Sequence, residues 1–206
     1  NFTKPPLYFA LAHGSAKLFG TNEFAFRLPS ALFGLGTALL TYLAGRLIAK
    51  NRLVALLGAL GLLCNGAFVE ASRQVRLDSG VAFFALAAFC CFCIGMRRPL
   101  FLVGIGISTG LLFLTKSLAV LVIPPALLLG SLYYRNFRWL KSPFLWLGVG
   151  VGVCVTLPWL LAMDYGYGSR FWDVFLIAQG FLRIGTPIIG TGVTTFTYLL
   201  HLLRFT

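Results

Sequence analysis

The chain has 206 residues, of which 59% are hydrophobic and 11% charged, against about 25% charged in soluble domains. That much apolar surface exceeds what one soluble core hides, whereas a bilayer accepts it, each crossing of its ~30 Å interior needing ~20 apolar residues. The formal charge of +12 does not mark a nucleic-acid binder, because the basic residues stand between apolar runs without interleaved aromatics, and their role is topological.

The sequence starts at Asn1 and stops at Thr206 inside an apolar stretch, so it reads as a piece of a longer protein. Thr3-Lys4-Pro5-Pro6 opens with an extended, proline-held turn. Pro6 to Gly20 is apolar but interrupted by His13 and Lys17; it is too short and polar to cross and is expected to lie in the interface. Six spans follow, approximately Leu28–Ile48, Leu53–Phe68, Gly80–Gly95, Leu100–Thr115, Leu118–Tyr134 and Phe144–Met163. The fourth and fifth would make one overlong helix, so a tight turn is placed at Lys116. Pro124-Pro125 predicts a kink or break within the fifth span. Asp164 to Thr191 is the longest polar stretch and is expected to form an external loop; Thr194 to Phe205 begins another helix. Gly106/Gly110 and Gly148/Gly150/Gly152 have small-residue spacing suited to close helix packing.

The charges test this topology. Connections after spans one, three and five hold Arg46, Lys50, Arg52, Arg97, Arg98, Arg135, Arg138 and Lys141, and no acid. All five acids (Glu23, Glu70, Asp78, Asp164 and Asp173) fall in the other set. Alternate loops separate cleanly, which places the acid-free side in the cytoplasm and the acidic side in a periplasm or lumen.

Four elements are expected on that external face: the Lys4 turn, Arg73-Gln-Val-Arg76-Leu-Asp78 at the mouth of the third span, the Lys116 turn, and the loop holding Arg170, Asp173 and Arg183. A carboxylate ringed by cations at the membrane boundary suits a substrate carrying a phosphate on a lipid tail. The cations neutralise the phosphate, and Asp78 orients or deprotonates a hydroxyl. Each residue also has an ordinary use: Asp78 as a helix cap paired with Arg76, Lys4 and Lys116 as snorkelling cations. Cys64, Cys90, Cys91, Cys93 and Cys154 lie mainly in apolar runs without histidine partners, and read as small helix- or lipid-facing residues. His13 and His201 are lone and read as structural.

Lys4-Pro-Pro-Leu-Tyr-Phe, followed by Lys17-Leu-Phe-Gly-Thr-Asn-Glu-Phe-Ala-Phe-Arg27-Leu-Pro-Ser, resembles the membrane glycosyltransferases of the protein O-mannosyltransferase and aminoarabinose transferase superfamily, enzymes of the GT-C fold. Arg76-Leu-Asp78, Phe113-Leu-Thr-Lys116, Leu157-Pro-Trp159 and Phe171-Trp172 through Arg183 resemble further motifs of that family, in family order. The resemblance implies an all-α, polytopic transmembrane bundle of GT-C type, here residues 1–206 of a larger domain whose first span, first external loop and C-terminal part are missing.

It implies transfer of a sugar from a polyprenyl-phosphate carrier to a lipid or protein acceptor, with inverting chemistry, at the external face; the short loops, without a large lumenal insertion, favour the periplasmic face of a bacterial inner membrane over an endoplasmic reticulum. On that reading Asp78 is catalytic, while Lys4, Arg76, Lys116 and Arg183 meet the lipid phosphate. The family's principal acid lies upstream of Lys4, outside the sequence, so the fragment alone is expected to be inactive. Aminoarabinose transferases hold a divalent metal with a glutamate and a histidine where this chain has Thr3 and Gly180; no metal ligands are therefore assigned, and aminoarabinose is disfavoured as the sugar. The competing reading is a non-catalytic polytopic protein, a transporter or a degenerate paralogue. Charges at span ends rather than at the midplane favour the enzyme.

Overall fold

The computed structural model describes residues 4–173 and 175, which form helices and turns without a strand among them. They divide into two compact units, Pro5–Pro158 and a second to which Lys4 and the described residues from Trp159 onward belong.

In the larger unit, α1 (Leu7–Phe19) turns Tyr8, Ala12, Ser15 and Ala16 inward, positions four and seven to eight apart on one helical face. Phe9, Leu11 and Leu18, which lie off that face, are exposed. Helix α2 (Glu23–Ala49) is capped by Asn22, whose side chain accepts the Ala25 N–H at 2.9 Å. Its buried stripe consists of small residues, among them Ala25, Ser30, Gly34 and Ala38. Leu32, Leu35 and Leu39 face outward, each more than half exposed, which suits lipid rather than water.

The second expected span is broken. Helices α3 (Arg52–Cys64) and α4 (Gly66–Arg73) meet at 66°. Asn65 makes the bend: its backbone N–H closes α3 on the Leu62 carbonyl, and its side chain starts α4 by accepting the Phe68 N–H at 3.0 Å. A continuous Leu53–Phe68 helix was expected because the apolar run hides a residue that is a strong N-cap.

Helix α5 (Asp78–Gly95) is the centre of the unit, packed against α2, α6 (Val103–Thr115) and α7 (Ile123–Tyr134). The core gathers Phe84, Ala88, Phe92, Leu102, Leu112 and Leu127 around it. Short 3-10 segments, Pro99–Leu102 and Ser117–Val122, lead into α6 and α7. Pro124 and Pro125 occupy the first turn of α7, where a missing N–H costs nothing, so the break predicted there is a change from 3-10 to α geometry. Helix α8 (Pro143–Tyr167) completes the long helices. Among the described residues four helices are long and apolar enough to cross a membrane, five with the bent pair, and Pro99–Thr115 is a shorter apolar helix.

Glycine lets α6 and α8 touch backbone to backbone. A Cβ on Gly106 would collide with the Gly148 carbonyl, and one on Gly110 would stand 2.9 Å from the Gly152 carbonyl oxygen. Such contact replaces the hydrophobic force that lipid does not supply between helices.

In the smaller unit, Trp159 meets Phe171 edge-on at 5.6 Å, and Phe171 stacks on Phe175 at 5.0 Å. Gly168 takes a left-handed turn (φ +54°) into α9 (Ser169–Trp172). The indole of Trp172 donates to Asp164 Oδ1 at 2.6 Å, so this acid supports a local turn.

Candidate functional site

The site is assembled at the start of α5. Asp78 is the first residue of that helix, where the helix dipole favours a negative charge. Lys116 caps the other end of the neighbouring antiparallel element, following α6, where a cation is favoured. Its Nζ donates to Asp78 Oδ1 at 3.0 Å, and Arg76 Nε lies 3.4 Å from Asp78 Oδ2. Each carboxylate oxygen thus faces a cation, and the three groups carry a formal excess of one positive charge. All three side chains are about half exposed. Ion pairs so exposed are worth only about 0–1 kcal/mol, which makes them poor stabilisers and leaves them open to an incoming anion.

The approach of Lys116 depends on Gly80. A Cβ there would meet the Thr115 methyl at 3.1 Å and the Phe33 ring at 3.4 Å. Thr115 is buried, and its hydroxyl is turned back onto the Leu111 carbonyl. The end of α6 therefore settles against the first turn of α5 through a glycine gap.

A buried hydroxyl relay holds the Arg76-Leu77-Asp78 segment from beneath. Tyr8 Oη lies 2.5 Å from Ser30 Oγ, and both residues are buried. Ser30 Oγ donates to the Arg76 carbonyl at 3.3 Å and accepts the Arg76 N–H at 3.4 Å. With Ser30's one proton used there, Tyr8 is the donor to Ser30. Ser79 Oγ adds a bond to the same Arg76 carbonyl at 3.2 Å. Burial raises the Tyr8 phenol above its ordinary value of 10.0, with the Ser30 and Arg76 hydrogen bonds opposing; the phenol stays a neutral donor. Tyr8 and Ser30 escaped the sequence reading of site residues. Their signal was present, since both sit in the motif-bearing stretches Lys4-Pro-Pro-Leu-Tyr8 and Arg27-Leu-Pro-Ser30, as hydroxyls on apolar helices.

Of the four elements expected together, the structure joins Arg76, Asp78 and Lys116. Lys4 is exposed and belongs to the smaller unit, as does Asp173. Arg183 lies outside the described residues, together with Thr3, Gly180 and His201, and the Arg170 side chain is likewise outside description. Asp78 is not itself a side-chain cap: Leu77 precedes the helix and no side chain caps it. Among the described residues no three His, Cys, Asp or Glu gather at metal-holding distance, and no step below passes through a metal. Cys90 is buried and its thiol contacts the Leu40 carbonyl at 3.6 Å, a helix-packing role.

Comparison with known proteins adds three findings. Residues 3–161 match the family model described as dolichyl-phosphate-mannose-protein mannosyltransferase. The undecaprenyl phosphate-alpha-4-amino-4-deoxy-L-arabinose arabinosyl transferase 2 of Proteus mirabilis is 30% identical over 190 residues, covering 88% of this chain and 34% of that protein. The crystal structure of ArnT from Cupriavidus metallidurans bound to undecaprenyl phosphate superposes with a TM-score of 0.78 at 26% identity, covering 89% of this chain and 35% of that one. Its apo structure gives a TM-score of 0.80 over 98% of this chain, at 23% identity. The chain spans about a third of the length of these relatives.

Proposed function

The chain belongs to the dolichyl-phosphate-mannose-protein mannosyltransferase family and is an integral membrane protein; from this premise we propose that the protein it forms part of transfers a sugar from a polyprenyl-phosphate carrier to an acceptor hydroxyl or phosphate. The observation that carries the reading is the Asp78 carboxylate bracketed by Arg76 and Lys116 at the end of a membrane-spanning helix.

In the proposed step the carrier's phosphate draws on the positive excess at Arg76 and Lys116, which loosens their hold on Asp78. The freed carboxylate orients an acceptor hydroxyl and takes its proton as the new glycosidic bond forms at the sugar's anomeric carbon. The bond from that carbon to the phosphate oxygen breaks on the opposite side, inverting the centre. The departing lipid phosphate takes the electron pair, and the cations stabilise the charge that develops on it. Lys4 and Arg183 are proposed as further phosphate contacts, supported by their place in the motifs quoted above.

The membrane is proposed to be a bacterial inner membrane with the site on its periplasmic face. The alternation of basic and acid-bearing connections supports this orientation, and so does the gathering of Lys50, Arg97 and Arg98 at one end of the larger unit. The sugar is proposed only by class, because the family description names mannose and the Proteus relative an aminoarabinose.

The deciding experiment is transfer by the purified full-length protein from a panel of radiolabelled polyprenyl-phosphate sugars, with Asp78→Asn beside it. Transfer that vanishes in the variant establishes the class and names the donor. A well-folded protein that uses no donor returns the chain to the reading of a degenerate, non-catalytic paralogue.

A further inference from the structure

The larger unit holds a second feature, at its basic end, that the transfer chemistry does not use. The C-terminal ends of α2, α5 and α7 surround a cavity of about 890 Å³. Lys50, Arg97 and Arg98 line it, all exposed. None of the five acids of the chain lines it, and none of these three cations has an ion pair among the described residues. Three helix C-termini bring partial negative charge of about −0.5 each, which three full cations outweigh. Lys50 reaches its place through a left-handed backbone (φ +54°), a conformation disfavoured by about 1–2 kcal/mol for a residue with a Cβ.

The cavity does not end at the charges. Ile48, Tyr133 and Tyr134 also line a second cavity of about 570 Å³. That one is walled by α5 and α7 with apolar residues, among them Ala82, Ala85, Phe89, Ala126 and Leu129. Small residues leave it open: Ala82, Ala85 and Ala126 give the groove its width. Along α5 the two cavities run from Ile94 to Ala82, a rise of about 18 Å. One leaflet of a ~30 Å hydrocarbon core is ~15 Å deep. The cations thus stand at headgroup level, and the apolar groove continues inward for one leaflet.

We infer that this groove is a binding site for an anionic phospholipid, its phosphate between Lys50, Arg97 and Arg98 and an acyl chain laid along α5 and α7 between Ala85 and Ala126. An apolar helix would fill the groove but leave three cations unanswered; a free phosphate would answer the cations but leave the groove empty. A phospholipid supplies both in one molecule, with the spacing the bilayer imposes. Basic residues near a membrane attract anionic lipid generally; what distinguishes a site is that only the cations lining the groove should matter.

The test uses the full-length protein, purified in neutral detergent and stripped of lipid, titrated with phosphatidylglycerol or with phosphatidylcholine of the same acyl chains. Binding is read by native mass spectrometry and by the thermal unfolding midpoint. Phosphatidylglycerol is expected to bind and raise the midpoint, with phosphatidylcholine well behind. The triple variant Lys50→Gln/Arg97→Gln/Arg98→Gln is expected to lose affinity on the order of 100-fold, about fivefold per cation. Arg138→Gln/Lys141→Gln, at the same end but not lining the groove, should keep wild-type affinity. Ala85→Trp, which changes no charge and fills the apolar part, should also abolish binding. Equal binding of the two lipids, equal loss in both charge variants, or undiminished binding in Ala85→Trp would each overturn the inference. Failure of the triple variant to fold leaves Ala85→Trp and the lipid comparison to decide.

Discussion

Lys116 Nζ stands 3.0 Å from Asp78 Oδ1 across 38 residues of sequence, joining the end of α6 to the beginning of α5. Neither residue is obliged to meet the other by its own helix. The meeting follows from the glycine gap at Gly80, which lets Thr115 settle against α5.

Replacing Lys116 with Ala should reduce kcat/KM for the lipid-linked donor by roughly 10–100-fold, the worth of a charge-assisted hydrogen bond of about 1.5–3 kcal/mol. Lys116→Arg should recover part of it. Steady-state kinetics on the full-length protein with variable donor checks this. Unchanged kinetics in Lys116→Ala would confine the residue to membrane-surface snorkelling.

Asp78→Asn should lower transfer by on the order of 10²–10⁴-fold, the usual contribution of a positioned base, without unfolding the protein. The half-exposed ion pairs it removes are worth little. Comparing turnover with the thermal midpoint of the same preparation separates the two effects. A large drop in midpoint with residual activity proportional to folded protein would make Asp78 structural.

The buried relay predicts a graded series. Ser30→Ala leaves the Tyr8 hydroxyl and the Arg76 backbone without their partner and should cost about 1–3 kcal/mol, while Tyr8→Phe should cost about 0.5–1.5 kcal/mol. The pH dependence has a definite sign. Because the folded-state phenol is raised above 10.0, its stabilising contribution is complete below that pH and declines as pH rises through the higher folded value. Alkaline unfolding curves should therefore be shallower above pH 10 in Tyr8→Phe than in the wild type. Identical alkaline slopes would mean that Tyr8 is not buried against Ser30.

Two glycines of α8, two residues apart and so on different faces of the helix, give an internal control. Gly148→Ala drives a methyl group to 2.8 Å from the Val103 Cα, whereas a Cβ on Gly150 meets nothing within 4 Å. The first should destabilise by about 1–3 kcal/mol through overpacking; the second should be neutral or slightly stabilising, since alanine favours helix over glycine by about 1 kcal/mol. Thermal unfolding in detergent distinguishes them, and equal effects would contradict the α6–α8 contact.

Arg138→Ala lies at the basic end, in the Arg138–Lys141 turn, and should leave transfer within about twofold of wild type, since surface changes away from a site are worth about 0.5 kcal/mol or less. A strong loss of activity in a normally inserted protein would reverse the proposed orientation.

What the sequence by itself determined are the properties that live in local composition. The apolar runs became the helices, because crossing length is a matter of counting residues. The acid-free and acid-bearing connections separated, because charge at span ends needs no knowledge of neighbours. The turn at Lys116 and the break at Pro124-Pro125 were equally local. Asn65 was missed because one polar residue in an apolar run changes the mean hydropathy little, while its capping geometry redirects the helix by 66°. Tertiary structure alone decided that Lys116 reaches Asp78, that Tyr8 and Ser30 meet beneath Arg76, and that Lys50, Arg97 and Arg98 from two basic connections gather beside one apolar groove. Those relationships join residues 22 to 46 positions apart or more. They are fixed by how small side chains let the helices approach, a property of pairs of surfaces that no single stretch of sequence contains.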